Sequence, residues 1–113
     1  MSDLASGRYS RQVILPEIGK EGQEILEKKK VAIIGLGALG SVAAELLCRA
    51  GIGSLLLVDR DVVEESNLQR QLLYTEKDLG KSKVSTAQER LQQINSSVNI
   101  QIHPIHLNLL YQP

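Results

Sequence analysis

The stretch Val31-Ala32-Ile33-Ile34-Gly35-Leu36-Gly37-Ala38-Leu39-Gly40 decides the fold of this chain. Its first four residues are a continuous apolar run closed by glycine, which reads as a strand buried on both faces, as in a parallel sheet. From Ala38 to Ala50 the apolar positions Leu39, Val42, Ala43, Leu46, Leu47 and Ala50 recur at three- and four-residue spacing. They form one apolar stripe of a helix that Gly51 stops. Ser54-Leu55-Leu56-Leu57-Val58 is a second apolar run, ending in Asp59-Arg60-Asp61. Strand, helix and strand in this order make a βαβ unit with a right-handed crossover.

Gly35 to Gly40 fit G-x-G-x-x-G between a predicted strand and a predicted helix, the context this motif requires. Gly35 permits the tight turn, Gly37 lets the backbone approach a phosphate, and Gly40 lets the helix pack close to the strand. The helix start offers free N–H groups and the positive end of its dipole to an anion. Asp59 stands about 20 residues further on, at the end of the second strand, where a carboxylate accepts hydrogen bonds from a ribose hydroxyl. Up to this point an NAD-binding oxidoreductase domain fits equally well.

Working outward, residues 60–80 are polar apart from Leu72-Leu73-Tyr74 and read as a long loop with a helical turn, a place where function concentrates. Gly80 to Asn95 carries Val84, Ala87, Leu91 and Ile94 on one face, a second crossover helix capped by Gly80 or Ser82. Val98 to His103 alternates as a half-buried strand does, and Pro104 confines it to an edge or an end. Upstream, residues 8–30 form a polar arm and a short amphipathic helix over Gln23 to Lys30 after the break at Gly19 and Gly22, with Lys28-Lys29-Lys30 at its solvated end. The expected class is therefore α/β: a Rossmann-like parallel sheet with flanking helices, the first, mononucleotide-binding half of a doubly wound domain. Residues 1–113 form one domain, 1–30 the arm and helix and 31–113 the βαβ units. We expect it to be a truncated form of a larger fold, with Leu109-Leu110-Tyr111-Gln112-Pro113 reading as an interruption in mid-fold.

Composition limits the function. Formal net charge is zero, 42% of residues are apolar and 23% charged, which excludes disorder and general affinity for nucleic acid. Three Tyr and neither Phe nor Trp leave no stacking platform for single strands. No apolar stretch approaches a membrane span or a signal peptide, and the expected location is cytoplasmic. The lone Cys48 excludes an internal disulfide and an all-cysteine metal site; it reads as a small packed side chain. His103 and His106 read as surface or strand-end residues.

Glu64-Glu65-Ser66-Asn67-Leu68-Gln69-Arg70-Gln71, followed by Lys83, separates the nucleotide readings. A dinucleotide has no need of an Arg and a Lys close by, whereas a triphosphate does. Lys81 and Lys83 in the first turn of a helix cost about 0.3–1 kcal/mol each against the dipole, a sign that a bound polyphosphate reverses.

Arg8-Tyr9-Ser10-Arg11-Gln12, the glycine turn, Asp59-Arg60-Asp61, Ser66-Asn67-Leu68-Gln69-Arg70-Gln71 and Gly80-Lys81-Ser82-Lys83 resemble, in order and spacing, the HesA/MoeB/ThiF family, relatives of the ubiquitin-activating enzymes. The resemblance implies ATP-dependent adenylation of the C-terminal glycine carboxylate of a ubiquitin-like sulfur-carrier protein. It implies that Gly35, Gly37, Ala38 and Gly40 line the nucleotide and Asp59 holds the ribose. Asn67, Arg70 and Lys83 would take the phosphates, with Asp61, Ser66 and Gln69 alongside. Arg11 would reach the phosphates of the other subunit of a homodimer, so that Arg11, Arg70 and Lys83 carry the catalysis. The family's Mg²⁺ ligand and its zinc-binding cysteine pairs would lie beyond residue 113, and little or no adenylation is expected of these residues alone. The alternatives are an NAD-dependent oxidoreductase domain and an inactive fragment that acts only in binding.

Overall fold

The computed structural model describes residues 7–105; the readings placed on His106 and on Leu109 to Pro113 lie outside them. A short helix α1 (Ser10–Val13) and helix α2 (Gly19–Leu26) precede β1 (Lys30–Ile34). Helix α3 (Ala38–Ala50), β2 (Ser54–Val58), helix α4 (Lys83–Ile94) and β3 (Asn99–His103) complete the order. The strands pair in parallel as β1-β2-β3, with Ile33 opposite Leu57 and Leu57 opposite Ile102. This is the Rossmann-like sheet read from the two apolar runs. Pro104 follows directly on β3, which lies at an edge, as the missing N–H of proline requires. No helix of the described residues is long and apolar enough to cross a membrane.

One face of the sheet carries the core. Ile33, Leu55, Leu57 and Ile100 point the same way by the register and cluster with Ala44, Cys48, Val84, Ala87 and Leu91 from α3 and α4. Cys48 is fully buried, its thiol donating to Leu91 O at 3.4 Å, so it packs as expected. On α4, the predicted face of Val84, Ala87 and Leu91 is the buried one, and Ser82 caps the helix. Lys81 precedes that cap and is exposed, so only Lys83 occupies the first turn.

Three further expectations are corrected. Strand β1 is not buried on both faces: Ile33 is buried while Ala32 and Ile34 are exposed, because the helices among the described residues that pack on the sheet cover only one side. On α3 most of the stripe of large apolar residues points outward, with Leu39 88% and Leu46 61% exposed, and only Leu47 packs partly against the core. The buried face is Ser41, Ala44 and Cys48. Small residues win there because the helix approaches the sheet closely: a Cβ added at Gly40 would run into the carbonyl of Gly35. Upstream, Gly19 and Gly22 lie inside α2, whose buried residue is Gln23, rather than before it.

The arm is tied down by polar contacts. The last carbonyls of a helix lack intrahelical partners, and here side chains supply them. Gln12 and Gln23 donate to Ala50 O at 3.0 and 2.9 Å, Asn95 donates to Cys48 O at 2.9 Å, and Arg8 to Ile94 O at 2.8 Å. Tyr9 Oη accepts from Asn95 Nδ2 at 2.8 Å. These contacts fasten the arm to the C-terminal ends of α3 and α4.

The two faces of this layer respond differently to mutation. Leu46→Gln is expected to shift the unfolding free energy by no more than about 0.5 kcal/mol. Leu57→Ala, fully buried in β2, is expected to lower it by about 2–5 kcal/mol. Urea denaturation of both variants checks the assignment; a large loss for Leu46→Gln would restore the stripe to the core.

Candidate nucleotide site

The site sits at the C-terminal edge of the sheet, where ligands bind in folds of this kind. Gly35 leaves β1 with φ +92°, a left-handed conformation open to glycine, while its N–H still donates to Val58 O at 2.8 Å. Gly37 follows as the N-cap of α3 and Ala38 opens the helix. Gly37 has no side chain to cap with, so the N–H groups of the first turn stay open to a ligand, apart from Ser41 N–H, which bonds Gly37 O at 3.0 Å.

Between the two glycines, the peptide groups of Leu36 are held on both sides. Its N–H donates to Asp59 Oδ2 at 2.7 Å, and its carbonyl accepts from the Tyr74 hydroxyl at 2.8 Å. The other Asp59 oxygen, Oδ1, accepts from Asp61 N–H at 2.7 Å. Asp61 O then accepts from Lys83 N–H at 3.0 Å. A chain of three hydrogen bonds thus runs from the glycine turn through Asp59 and Asp61 to the first residue of α4. It brings the starts of two helices to one edge.

Lys83 is the unusual member of this group. It is 5% exposed, yet among the described residues it forms no ion pair. Its stem is packed away while its ammonium, which is not among the buried unpartnered atoms, still reaches solvent, as long lysine side chains do. Arg70 is exposed and donates to Ser66 O at 3.0 Å, which steadies it beside the Glu65–Asn67 turn. Asn67 is buried, and its Oδ1 caps that turn by accepting from Glu64 N–H at 2.8 Å, leaving its Nδ2 as the end able to donate. Ser66, Gln69 and Asp61 are exposed.

The geometry brings together Gly35, Gly37, Ala38, Gly40, Asp59, Asp61 and Lys83, and joins the Ser66 to Arg70 loop to them through Gln71 and Tyr74. Arg11 is not among them. It is exposed on α1, in the arm fastened to the C-terminal end of α3, about 20 Å of helix away from the glycine turn.

Sequence reasoning passed over Tyr74 and Gln71. Both are buried, and both belong to the segment that leans on the turn. The signal for Tyr74 was the apolar patch Leu72-Leu73-Tyr74 in a polar loop; Gln71 stood in the N-L-x-R-Q motif without a task. Burial, and then the charges of Asp59 and Asp78, push the Tyr74 phenol well above its ordinary range, while burial pushes the Cys48 thiol up against the nearby Arg49. Cys48 is therefore poorly disposed to act as a nucleophile.

Tyr74→Phe leaves the Leu36 carbonyl without its donor and should cost about 1–3 kcal/mol in denaturation experiments. Because folding favours the protonated phenol, Tyr74 contributes stability that is fully present below about pH 10 and declines as pH rises beyond it. The variant should lack that share of the alkaline decline, measurable by comparing unfolding free energies at pH 8 and pH 11.

Comparison with known proteins follows the same lines. A chain-wide family model, the ThiF family, matches residues 9–109. The sulfur carrier protein ThiS adenylyltransferase of Bacillus subtilis (strain 168) is 53% identical over 97 residues, covering 84% of this chain and 29% of the relative. The sulfur carrier protein adenylyltransferase of Thermus thermophilus is 46% identical over 100 residues, 88% of this chain and 37% of the relative. Among solved structures, E. coli MccB with ATP superimposes with a TM-score of 0.85 at 31% identity, over 96% of this chain and 34% of the other. The chain thus spans about a third of the length of these relatives. Because the family model spans residues 9–109, nearly the whole sequence, this chain belongs to the ThiF family.

Proposed function

We propose that this chain is the nucleotide-gripping part of an ATP-dependent adenylyltransferase that activates the C-terminal carboxylate of a ubiquitin-like sulfur-carrier protein. The observation that carries the ATP reading is Lys83: a lysine with a buried stem and an ammonium unpaired among the described residues, in the first turn of a helix hydrogen-bonded through Asp61 and Asp59 to the glycine turn. A polyphosphate supplies the missing counter-charge. The carrier reading is supported by the names of the relatives, which act on sulfur-carrier proteins.

In this reading the N–H groups at the start of α3 receive phosphate oxygens, and Gly37 admits them without a side chain in the way. Asp59 has both oxygens engaged by backbone N–H groups, and each keeps a lone pair for a ribose hydroxyl. Lys83 and Arg70, with Asn67 Nδ2 beside them, stabilise charge on the triphosphate as the carrier carboxylate attacks the α-phosphorus. The bond to the β-phosphate oxygen breaks, pyrophosphate leaves, and the carboxylate becomes a mixed anhydride with adenylate. Asp61, Ser66 and Gln69 border the nucleotide from the solvent side. Arg11 serves the nucleotide of a second copy in a homodimer, because its own site lies at the other end of α3.

Mg²⁺ accompanies ATP in chemistry of this type. The described residues contain no group of three or more His, Cys, Asp or Glu side chains able to hold a metal ion, and Asp59 is already engaged by the backbone. They do not fit a metal site of their own, and no step is assigned to one.

Calorimetry with ATP and NAD tests the proposal. ATP should bind and NAD should not. Lys83→Met should weaken ATP by about tenfold or more while changing the stability of the empty chain by no more than about 0.5 kcal/mol, since the packed stem is kept and only a solvent-reaching ammonium is lost. NAD binding in place of ATP, or ATP affinity indifferent to Lys83→Met, would overturn it.

A further inference from the structure

We propose that Gln71 is a further phosphate-contacting residue, its side-chain amide donating from Nε2 to a phosphate oxygen of a nucleotide seated on the glycine turn; this rests on the nucleotide reading above. Gln71 is only 3% exposed, and its Oε1 is buried with no hydrogen-bond partner. Native interiors seldom leave a polar atom in that state, and a Leu or Met of similar size would fill the space without it. The amide is therefore retained for its other end. Nε2 lies 3.9 Å from the point a Cβ on Gly37 would occupy. Gly37 is the N-cap of α3, which places this donor beside the open N–H groups of the first turn.

The segment carrying Gln71 is fixed with respect to the turn. Gln71 N–H donates to Asn67 O at 2.8 Å, and Gln71 O accepts from Tyr74 N–H at 3.2 Å. Tyr74 then bonds Leu36, the residue before Gly37. Two side chains of one short loop thus meet two successive residues of the glycine turn, Tyr74 on Leu36 and Gln71 at Gly37. The first is a positioning contact. The second leaves N–H groups facing the place where an anion binds. A neutral amide suits this role, because it directs a phosphate oxygen without adding charge to a site already served by Lys83.

Gln71→Met separates this role from a structural one. The ligand-free chain should keep its Tm or gain, because a buried unpaired acceptor is removed. Its Kd for ATP and for inorganic tripolyphosphate should rise by about tenfold, the loss of one hydrogen bond to a charged group. Gln71→Glu, which places a carboxylate against the phosphates, should raise both Kd values further. A lowered Tm with unchanged Kd values would make Gln71 merely structural and overturn the proposal. Binding of neither ATP nor tripolyphosphate by the wild-type chain would overturn the nucleotide reading and this proposal together, whereas wild-type binding that survives Gln71→Met overturns this proposal alone. Should the variants not fold, the side-chain amide resonance of Gln71 in the ¹⁵N-labelled wild-type chain supplies the answer. It should move on titration with tripolyphosphate, and an unmoved resonance at saturation overturns the assignment.

Discussion

The carboxylate of Asp59 holds the functional edge of this molecule together. One oxygen fixes Leu36 in the turn after β1 and the other fixes Asp61 in the turn after β2. Through Asp61 the effect extends to the first residue of α4. A carboxylate that accepts from two backbone N–H groups makes charge-assisted bonds, stronger than neutral ones. The glycine turn, the second βα connection and the start of the second crossover helix therefore share one anchor. A residue expected to hold ribose is also the one that shapes the site.

The turn is rigid on its second side for a different reason. Tyr74 is buried, and its hydroxyl reaches the Leu36 carbonyl from the long loop after β2. That loop is built from two short turns, Glu65–Asn67 and Glu76–Asp78, each closed by side chain to backbone bonds: Asn67 to Glu64, and Asp78 to Thr75. Polar composition made it look irregular. Its internal bonds make it a platform, and Gln71, Tyr74 and Arg70 are carried on it.

What was legible in the sequence was whatever depends on neighbours along the chain. Gly35 to Gly40, the apolar run Ser54 to Val58 and the Ser82 cap each encode a local geometry, and each was found where it was read. The exposed side of α3 was misread because periodicity reports that Leu39, Val42 and Leu46 share a face, not what that face meets. Ser41, Ala44 and Cys48 are buried for a reason seen only in three dimensions, the close approach that Gly40 allows over Gly35. Gln71 and Tyr74 escaped for the same cause. Their significance lies in contact with residues more than 30 positions upstream, and no local pattern expresses that.

The fastening of the arm has one more implication. The C-terminal end of α3 carries the negative end of a helix dipole, a place where a cation is ordinarily welcome. Here its carbonyls at Cys48 and Ala50 are met by the neutral amides of Asn95, Gln12 and Gln23. Arg11, one residue before Gln12, is thus left out of its own helix-end chemistry and stays at the surface. A join made of neutral amides holds at salt concentrations that would screen a charged one.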